Sequence, residues 1–216
     1  MNELFWCVDC QKDFILPNGK LYIKGAETIL PNLAKITSLA VKNSISVVST
    51  GDYHDIKDEE ISDKPDLIDT FPPHCLFNEE GSDFVDEAYP KLIHRHYFLV
   101  TPSHIGELFK SALDRSKDII IYKNKFDVFK GNSYTDEILE ILKPKDIYVY
   151  GVALDYCVKY AIEGLVERGY QVFLVTDATK GIVEKNLKDL LDKWEEEGIR
   201  MITTEELEKK FNENRN

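Results

Sequence analysis

The chain has 216 residues, with 27 lysines and arginines against 39 aspartates and glutamates and a formal net charge of −12. That length is enough for one large domain with its own core, and residues 1–216 are expected to form just one. The acidic balance repels phosphate backbones and anionic bilayers, so neither nucleic acid nor a membrane surface is expected as a partner. No apolar run approaches the ~20 residues of a spanning helix. The start "MNELFWCVDC" carries an acid where a signal peptide carries positive charge. Four cysteines in so long a chain do not read as a disulfide framework, and a reducing, cytoplasmic location is expected.

Along the chain, β-branched and aromatic runs of strand length alternate with stretches of helical period. Strands are predicted at Leu4–Val8, Ile45–Thr50, Asp118–Tyr122, Asp146–Gly151, Gln171–Thr176 and Ile199–Thr203. Helices are predicted over about Glu27–Lys42, His104–Ser116, Tyr134–Leu142, Cys157–Arg168 and Glu184–Glu197. The fourth is clearest: Val158, Ala161, Ile162, Leu165 and Val166 form one stripe, Asp155 stands where an N-cap belongs, and Gly169 ends it. The acidic, proline-containing stretch Asp55–Pro73 reads as a loop. Strand alternating with helix predicts an α/β protein, a three-layer α/β/α sandwich with a mostly parallel central sheet.

In such sheets ligands bind beyond the carboxyl ends of the strands. The residues that follow these strands are Asp9, then Asp52 and His54, then Lys123, then the loop to Cys157, then Asp177. Carboxylate, imidazole, ammonium and thiol at successive strand ends point to a reactive edge. Cys157 opens its helix, where unpaired N–H groups and the positive end of the helix dipole favour a thiolate. Lys123 adds positive charge and Asp155 opposes it. Asp9 could accept the thiol proton and later return it to a leaving group. A lone cysteine in this position is more often a small buried residue closing the sheet; its charged companions reverse that reading. Lys125, two residues beyond Lys123, would share its face in an extended segment.

Two further patterns carry weaker signals. Cys7 and Cys10 form a Cys-x-x-Cys, which in a redox protein stands at a helix start; here it would straddle a strand and its exit, with the two side chains facing oppositely. No Gly-x-Gly-x-x-Gly follows a strand, so a dinucleotide site is not expected. Asp52, His54 and His74 offer two imidazoles and a carboxylate, an open set suited to zinc, iron or manganese. On spacing alone the pair His94 and His96 is an equal rival.

Four segments together carry a family resemblance: "FWCVDCQKDF", "YKNKFDVF", "YGVALDYCV" and "VTDATKGI". They resemble an apolar strand followed by Asp-x-Gln-x-Asp-Phe, a Lys-x-Arg-Tyr-Ser-Ala-Phe segment, a Gly-Val-x-x-x-x-Cys-Val nucleophile loop and a later Asp-Ala segment. In this order they are similar to the isochorismatase-like cysteine hydrolases, their nicotinamidase branch in particular, from about Leu4 to Ile182. The resemblance implies Asp9, Lys123 and Cys157 as the catalytic residues, and favours Lys123 over Lys125 through the spacing to Phe129. It implies a cis peptide between Val152 and Ala153, with the N–H groups of Ala153 and Cys157 as an oxyanion hole. It selects Asp52, His54 and His74 as metal ligands, and leaves open whether an acid of Asp55–Asp69 adds a fourth. Phe71 stands in the place of the family's pocket aromatic. Phe14 reads equally as a pocket wall that could stack on a substrate ring and as plain core, and Gln11 and Asp13 are expected to fix the loop that carries Asp9 rather than to do chemistry. The activity implied is hydrolysis of a small amide, nicotinamide to nicotinic acid and ammonia, or of a related amide or carbamoyl compound; self-association is left open. The chain departs from the family pattern at Phe71, where many relatives have tryptophan, in "FDVF", which brings Asp127 near the site, and in the extra stretch Pro90–Lys110. A thiol redox or binding protein on the same scaffold is the reading from a different class.

Overall fold

The structure is a computed structural model and describes residues 2–88, 97–100 and 118–213. Seven strands form one sheet: β1 (Glu3–Val8), β2 (Ser46–Asp52), β3 (Tyr97–Val100), β4 (Asp118–Lys123), β5 (Asp146–Val152), β6 (Gln171–Lys180) and β7 (Arg200–Ile202). Their order is β3-β4-β2-β1-β5-β6-β7, and every adjacent pair is parallel. Parallel pairing demands crossovers, and helices supply them on both faces. In chain order these are α1 (Lys12–Ile15), α2 (Leu30–Asn43), α3 (Val128–Gly131), α4 (Thr135–Leu142), α5 (Cys157–Glu167), α6 (Glu184–Glu196) and α7 (Thr204–Glu213). No described helix is long and apolar enough to cross a membrane.

The strand period of two divides the core into the expected layers. From β1, Phe5 and Cys7 pack on one side, with Leu33 and Ile36 of α2 and Leu207 and Phe211 of α7. Leu4, Trp6 and Val8 pack on the other, with Ile138 of α4, Val158, Ala161, Ile162 and Leu165 of α5, and Trp194 of α6. Because β1 is central, both its faces are covered, which is why Leu4–Val8 reads as a continuous apolar run.

The register sets the functional edge. Val8 lies level with Thr50 of β2 and with Gly151 of β5, and Asp52 lies level with Lys123 of β4. The chain therefore leaves β1, β2, β4 and β5 at one height. Gly151 has φ +121°, and a Cβ there would meet the Val8 carbonyl oxygen at 2.0 Å, so this close approach requires glycine. The Val152–Ala153 peptide that follows is cis.

The structure differs from the sequence reading at several points. β3 and α7 were not predicted, and β6 runs past Thr176 to Lys180 through an irregular register with β5. Asp177 thus lies within β6, where its carboxylate accepts hydrogen bonds from the Thr204 N–H and hydroxyl, both at 2.8 Å, and caps α7 rather than joining the strand-end groups. Tyr156, not Asp155, is the N-cap residue of α5. The Asp155 carboxylate instead accepts from the Ile182 and Val183 N–H groups, each at 2.9 Å. Cys7 and Cys10 do not face oppositely: both belong to the same packed cluster, and contact with Cys7 is the chief reason the Cys10 thiol is pushed up. The left-handed Asp9 (φ +49°) turns the chain between them. The helix predicted at His104–Ser116, the pair His94 and His96, and most of Pro90–Lys110 lie outside the described residues.

Candidate active site

Asp9, Lys123 and Cys157 converge at the carboxyl edge of the sheet. Asp9 is the first residue beyond β1, and its N–H donates to the Thr50 carbonyl at 3.0 Å, which fixes the turn. Its φ of +49° is one that aspartate tolerates better than bulkier residues. Lys123 ends β4, and Cys157 opens α5 directly after the loop from β5. The Lys123 ammonium lies 2.9 Å from Asp9 Oδ2 and 3.6 Å from the Cys157 sulfur, and it also bonds Asp52 Oδ1. Thr50 Oγ1 donates to Asp9 Oδ1 at 2.6 Å. All three are withdrawn from solvent, with Asp9 at 0 %, Lys123 at 1 % and Cys157 at 8 % exposure. Lys125, two residues on, is only half-buried and pairs with the exposed Glu59 at 3.3 Å.

Burial governs the proton balance. It pushes the Cys157 thiol well above its usual range, against the pull of the Lys123 ammonium. Burial also raises Asp9, again opposed by Lys123. For Lys123, burial alone would lower the pKa, but Asp52 and Asp9 outweigh it and hold it well above the ordinary lysine value. One ammonium thus sits among two carboxylates and a neutral thiol, a closed arrangement in which the proton has a short path between sulfur and Asp9. Ligand atoms of Asp9, Asp52 and Cys157 lie within 4.8 Å of one another, but the ammonium of Lys123 is already the cation that this group holds.

The loop before α5 offers two donors beside the thiol. Tyr156 N–H and Val158 N–H both donate to the Ala153 carbonyl, at 3.0 and 3.1 Å. Among the described residues, the N–H groups of Ala153 and Cys157 have no backbone acceptor. Cys157 opens the helix and Ala153 lies in the loop before it, so an oxyanion forming beside the sulfur finds backbone donors with no other backbone acceptor.

Asp52 also belongs to a second cluster. Its Oδ2 lies 3.7 Å from His54 Nε2 and 3.6 Å from His74 Nε2, and the ligand atoms of all three lie within 4.8 Å of one another. The Nδ1 of His74 is 2.8 Å from the Pro72 carbonyl, which can only accept, so Nδ1 carries the hydrogen and Nε2 presents its lone pair. His54 Nδ1 is 3.2 Å from Asp58 Oδ2, which orients the second ring in the same sense. The His54 Nε2 atom is buried without a hydrogen-bond partner. Two imidazole lone pairs and a carboxylate oxygen aimed at one point, one of them otherwise orphaned, fit a divalent metal. Of the loop acids Asp55–Asp69, Asp58 supports His54 from behind; Glu60 is buried but falls outside the three-residue ligand group.

Both clusters open on one pocket, whose walls include Phe14, Phe71, Phe126, Tyr156, Leu21 and Ile182. Phe14 packs against the His74 ring at 5.4 Å between centroids, and Phe71 at 6.4 Å. Phe126, Tyr156, Leu21 and Ile182 are walls that the sequence reading missed. Phe126 and Tyr156 stand in the very segments that contain Lys123 and Cys157, and that nearness was the available signal. Asp127 lies on the far side of Phe126, where it accepts from the Phe129 N–H at 3.0 Å and caps α3. Gln11 and Asp13 act as fasteners. The Gln11 amide donates to the Asp52 carbonyl at 2.7 Å and its oxygen accepts from the Asp52 N–H at 2.7 Å, and Asp13 accepts from the Cys75 N–H at 2.7 Å.

This arrangement has relatives. Nicotinamidase of Saccharomyces cerevisiae is 26% identical over 197 residues, covering 81% of this chain and 86% of that protein. The solved structure of pyrazinamidase from Pyrococcus horikoshii in complex with zinc superposes with a TM-score of 0.71 at 24% identity, covering 94% of this chain and 99% of that one. N-carbamoylsarcosine amidase of Thermoplasma acidophilum gives 0.71 at 20% identity, covering 94% and 97%. At such identities the two solved structures speak for the fold alone. The isochorismatase domain profile, however, matches residues 3–206, from the first residue of the central strand into the last helix. This chain belongs to the isochorismatase family.

Proposed function

We propose that the protein is a metal-assisted cysteine amidohydrolase that converts nicotinamide to nicotinic acid and ammonia. The observation that carries the reading is the polarity of the pocket: Asp9, Asp52, His74 and Cys157 are the polar groups of a lining otherwise made of aromatic and aliphatic side chains. A flat heteroaromatic ring suits the apolar part, and its amide can reach the thiol. No lysine or arginine stands among the described lining residues to receive a substrate carboxylate, which disfavours carboxylate-bearing carbamoyl compounds. Yeast nicotinamidase, a relative along most of both chains, supports the same class.

In this mechanism Asp9 takes the proton of the Cys157 thiol as sulfur attacks the amide carbon. The oxyanion is received by the N–H groups of Ala153 and Cys157. Collapse breaks the C–N bond; Asp9 returns its proton to the leaving nitrogen, and ammonia departs from a thioester. A water molecule that gives its proton to Asp9 hydrolyses the thioester, and the proton returns to sulfur. Lys123 stays charged throughout and stabilises whichever of Asp9 and Cys157 is the anion. Asp52, His54 and His74 would hold a divalent ion, zinc by its match to this donor set, which when bound supplies a Lewis-acid contact for a heteroaromatic nitrogen and for water.

Incubation with nicotinamide is expected to release equal amounts of nicotinic acid and ammonia. Cys157→Ala is expected to lower the rate by about 10⁴-fold or more while the fold persists. A metal-loaded protein that releases no ammonia from nicotinamide would remove this substrate. The thiol redox alternative requires disulfide exchange by Cys7 and Cys10, both of which are wholly buried.

A further inference from the structure

Glu60 lies in the loop between β2 and β3 and is 9 % exposed. It is bonded to two of the pocket's aromatic walls at once. Its backbone carbonyl accepts from the Phe71 N–H at 2.8 Å, and its side-chain Oε1 accepts from the Phe126 N–H at 3.0 Å. Those residues come from distant parts of the chain, one from the loop that carries His74 and the other from the segment after Lys123. Their rings meet edge to face, with centroids 5.5 Å apart and planes at 89°. Tyr156, the residue before Cys157, closes the set: its ring meets Phe71 at 5.6 Å and 90°, and Phe126 at 5.7 Å and 69°. Three rings in mutual edge contact make a box whose shape depends on the relative height of two backbones.

We propose that Glu60 is a positioning residue that sets the aromatic box and thereby gives the pocket its preference for a flat aromatic amide. The inference rests on the pocket's reading as an aromatic-amide site. Its chemistry is simple. A loop can slide relative to a strand end unless something crosses between them. Here two neighbouring side chains cross: Glu59, whose pair with Lys125 is open to solvent, and Glu60, which is buried and ends on a backbone N–H that has left the sheet ladder. Without that acceptor the Phe126 N–H is left half-buried and unpaired, so the segment shifts to find water and carries its ring with it. The second oxygen of Glu60 is buried without a hydrogen-bond partner, so the bond from Phe126 is the one hydrogen bond its carboxylate makes among the described residues. Burial, the chief cause, pushes the group's pKa up to about 7. Accepting from Phe126 does not require the charge, since a protonated carboxyl or an amide has the same carbonyl oxygen.

The test is calorimetric titration of nicotinamide into zinc-loaded Cys157→Ala protein, alone and combined with Glu60→Gln, Glu60→Ala or Glu60→Asp. The glutamine keeps the acceptor at its distance; the alanine removes it; the aspartate keeps the charge but falls short of Phe126. The expected result is binding within about twofold of the parent for glutamine and about tenfold weaker for alanine and aspartate, with metal content unchanged in all. On the Cys157 background the same Glu60 variants should raise KM for nicotinamide by a like factor and leave kcat within about twofold. Equal binding by all four proteins overturns the inference, as does loss of metal in step with loss of binding, or no binding by the parent. Binding by the parent that follows the expected order while the Cys157 enzyme makes no ammonia sinks the amidase reading instead and leaves the box standing.

Discussion

Asp9, Lys123 and Cys157 are held by the sheet: one follows β1, one ends β4, and one opens the helix after β5, at heights set by the parallel register. His54 and His74 hang from an irregular loop held by its own turns and by side chain to backbone bonds rather than by the sheet ladder. Asp58 braces His54, Asp13 holds the Cys75 N–H, and Asp66 folds the loop tip. Asp52 is the one residue the two clusters share. The lesson is that the chemistry's core is fixed by the fold's least adjustable part, whereas the group that would meet a substrate's ring nitrogen sits on a part that can vary without disturbing the sheet.

The largest test of that contrast is Lys123→Met. It removes the cation between Asp9 and Asp52, leaving two buried carboxylates facing each other. Breaking a buried pair in this way costs about 3–5 kcal/mol, and amide hydrolysis should fall to background. Urea denaturation measures the first effect and ammonia release the second. A Lys123→Met protein as stable as its parent would mean that the ammonium does not hold the strand ends together, and the contrast between the clusters would disappear.

A smaller effect is expected from the loop side. Asp58→Ala leaves all three candidate ligands in place but removes the acceptor behind His54 Nδ1. Loss of such a supporting partner typically weakens metal affinity about 10–100-fold. Competition with a chelator reads this directly, and the denaturation midpoint of the metal-free protein should barely move. If instead Asp58→Ala destabilises the metal-free protein as much as Lys123→Met, the loop is as structural as the sheet.

The same contrast explains what the sequence disclosed. Strand ends were legible because continuous runs such as Leu4–Val8 and Asp146–Gly151 mark where a buried strand stops, and whatever polar residue follows lies at the edge. That is how Asp9, Asp52, Lys123 and the Cys157 loop could be named together. Asp177 failed by the same rule, because β6 continues past Thr176 through a register shift that no periodicity encodes. Asp155 failed because its competitor was tertiary: two N–H groups at Ile182 and Val183, far along the chain, took the carboxylate from the helix start. Cys7 and Cys10 were placed on opposite faces by strand alternation, which ends at Asp9, where the backbone turns left-handed. The roles of Asp58 and Glu60 were unreadable among the many acids of their loop, since only the folded loop separates the buried from the solvated.

Asp66 gives the smallest effect and the finest probe of the loop. Its Oδ1 accepts from the N–H groups of Ile68, Asp69 and Thr70, each at 2.9 Å, folding the tip whose Leu67 carbonyl accepts from the Tyr156 hydroxyl at 3.4 Å. Those three N–H groups, the first of them from Ile68, hold its pKa down to about 2, against an ordinary value of 3.8. A carboxyl lowered on folding binds fewer protons in the folded state, so its contribution is complete above the unfolded value and is lost as pH falls through the folded one. The urea midpoint of Asp66→Ala should therefore trail the parent's by a constant small margin from pH 7 to about 4.5, and the margin should close between about pH 4 and 2. A margin that persists at the acid end would mean that the carboxyl supports the tip by its shape rather than its charge. Because the tip touches the ring that stands one residue before Cys157, the same variant should leave hydrolysis of a small amide intact while loosening the pocket's outer wall. That difference separates a loop that trims the pocket from a sheet edge that does the chemistry.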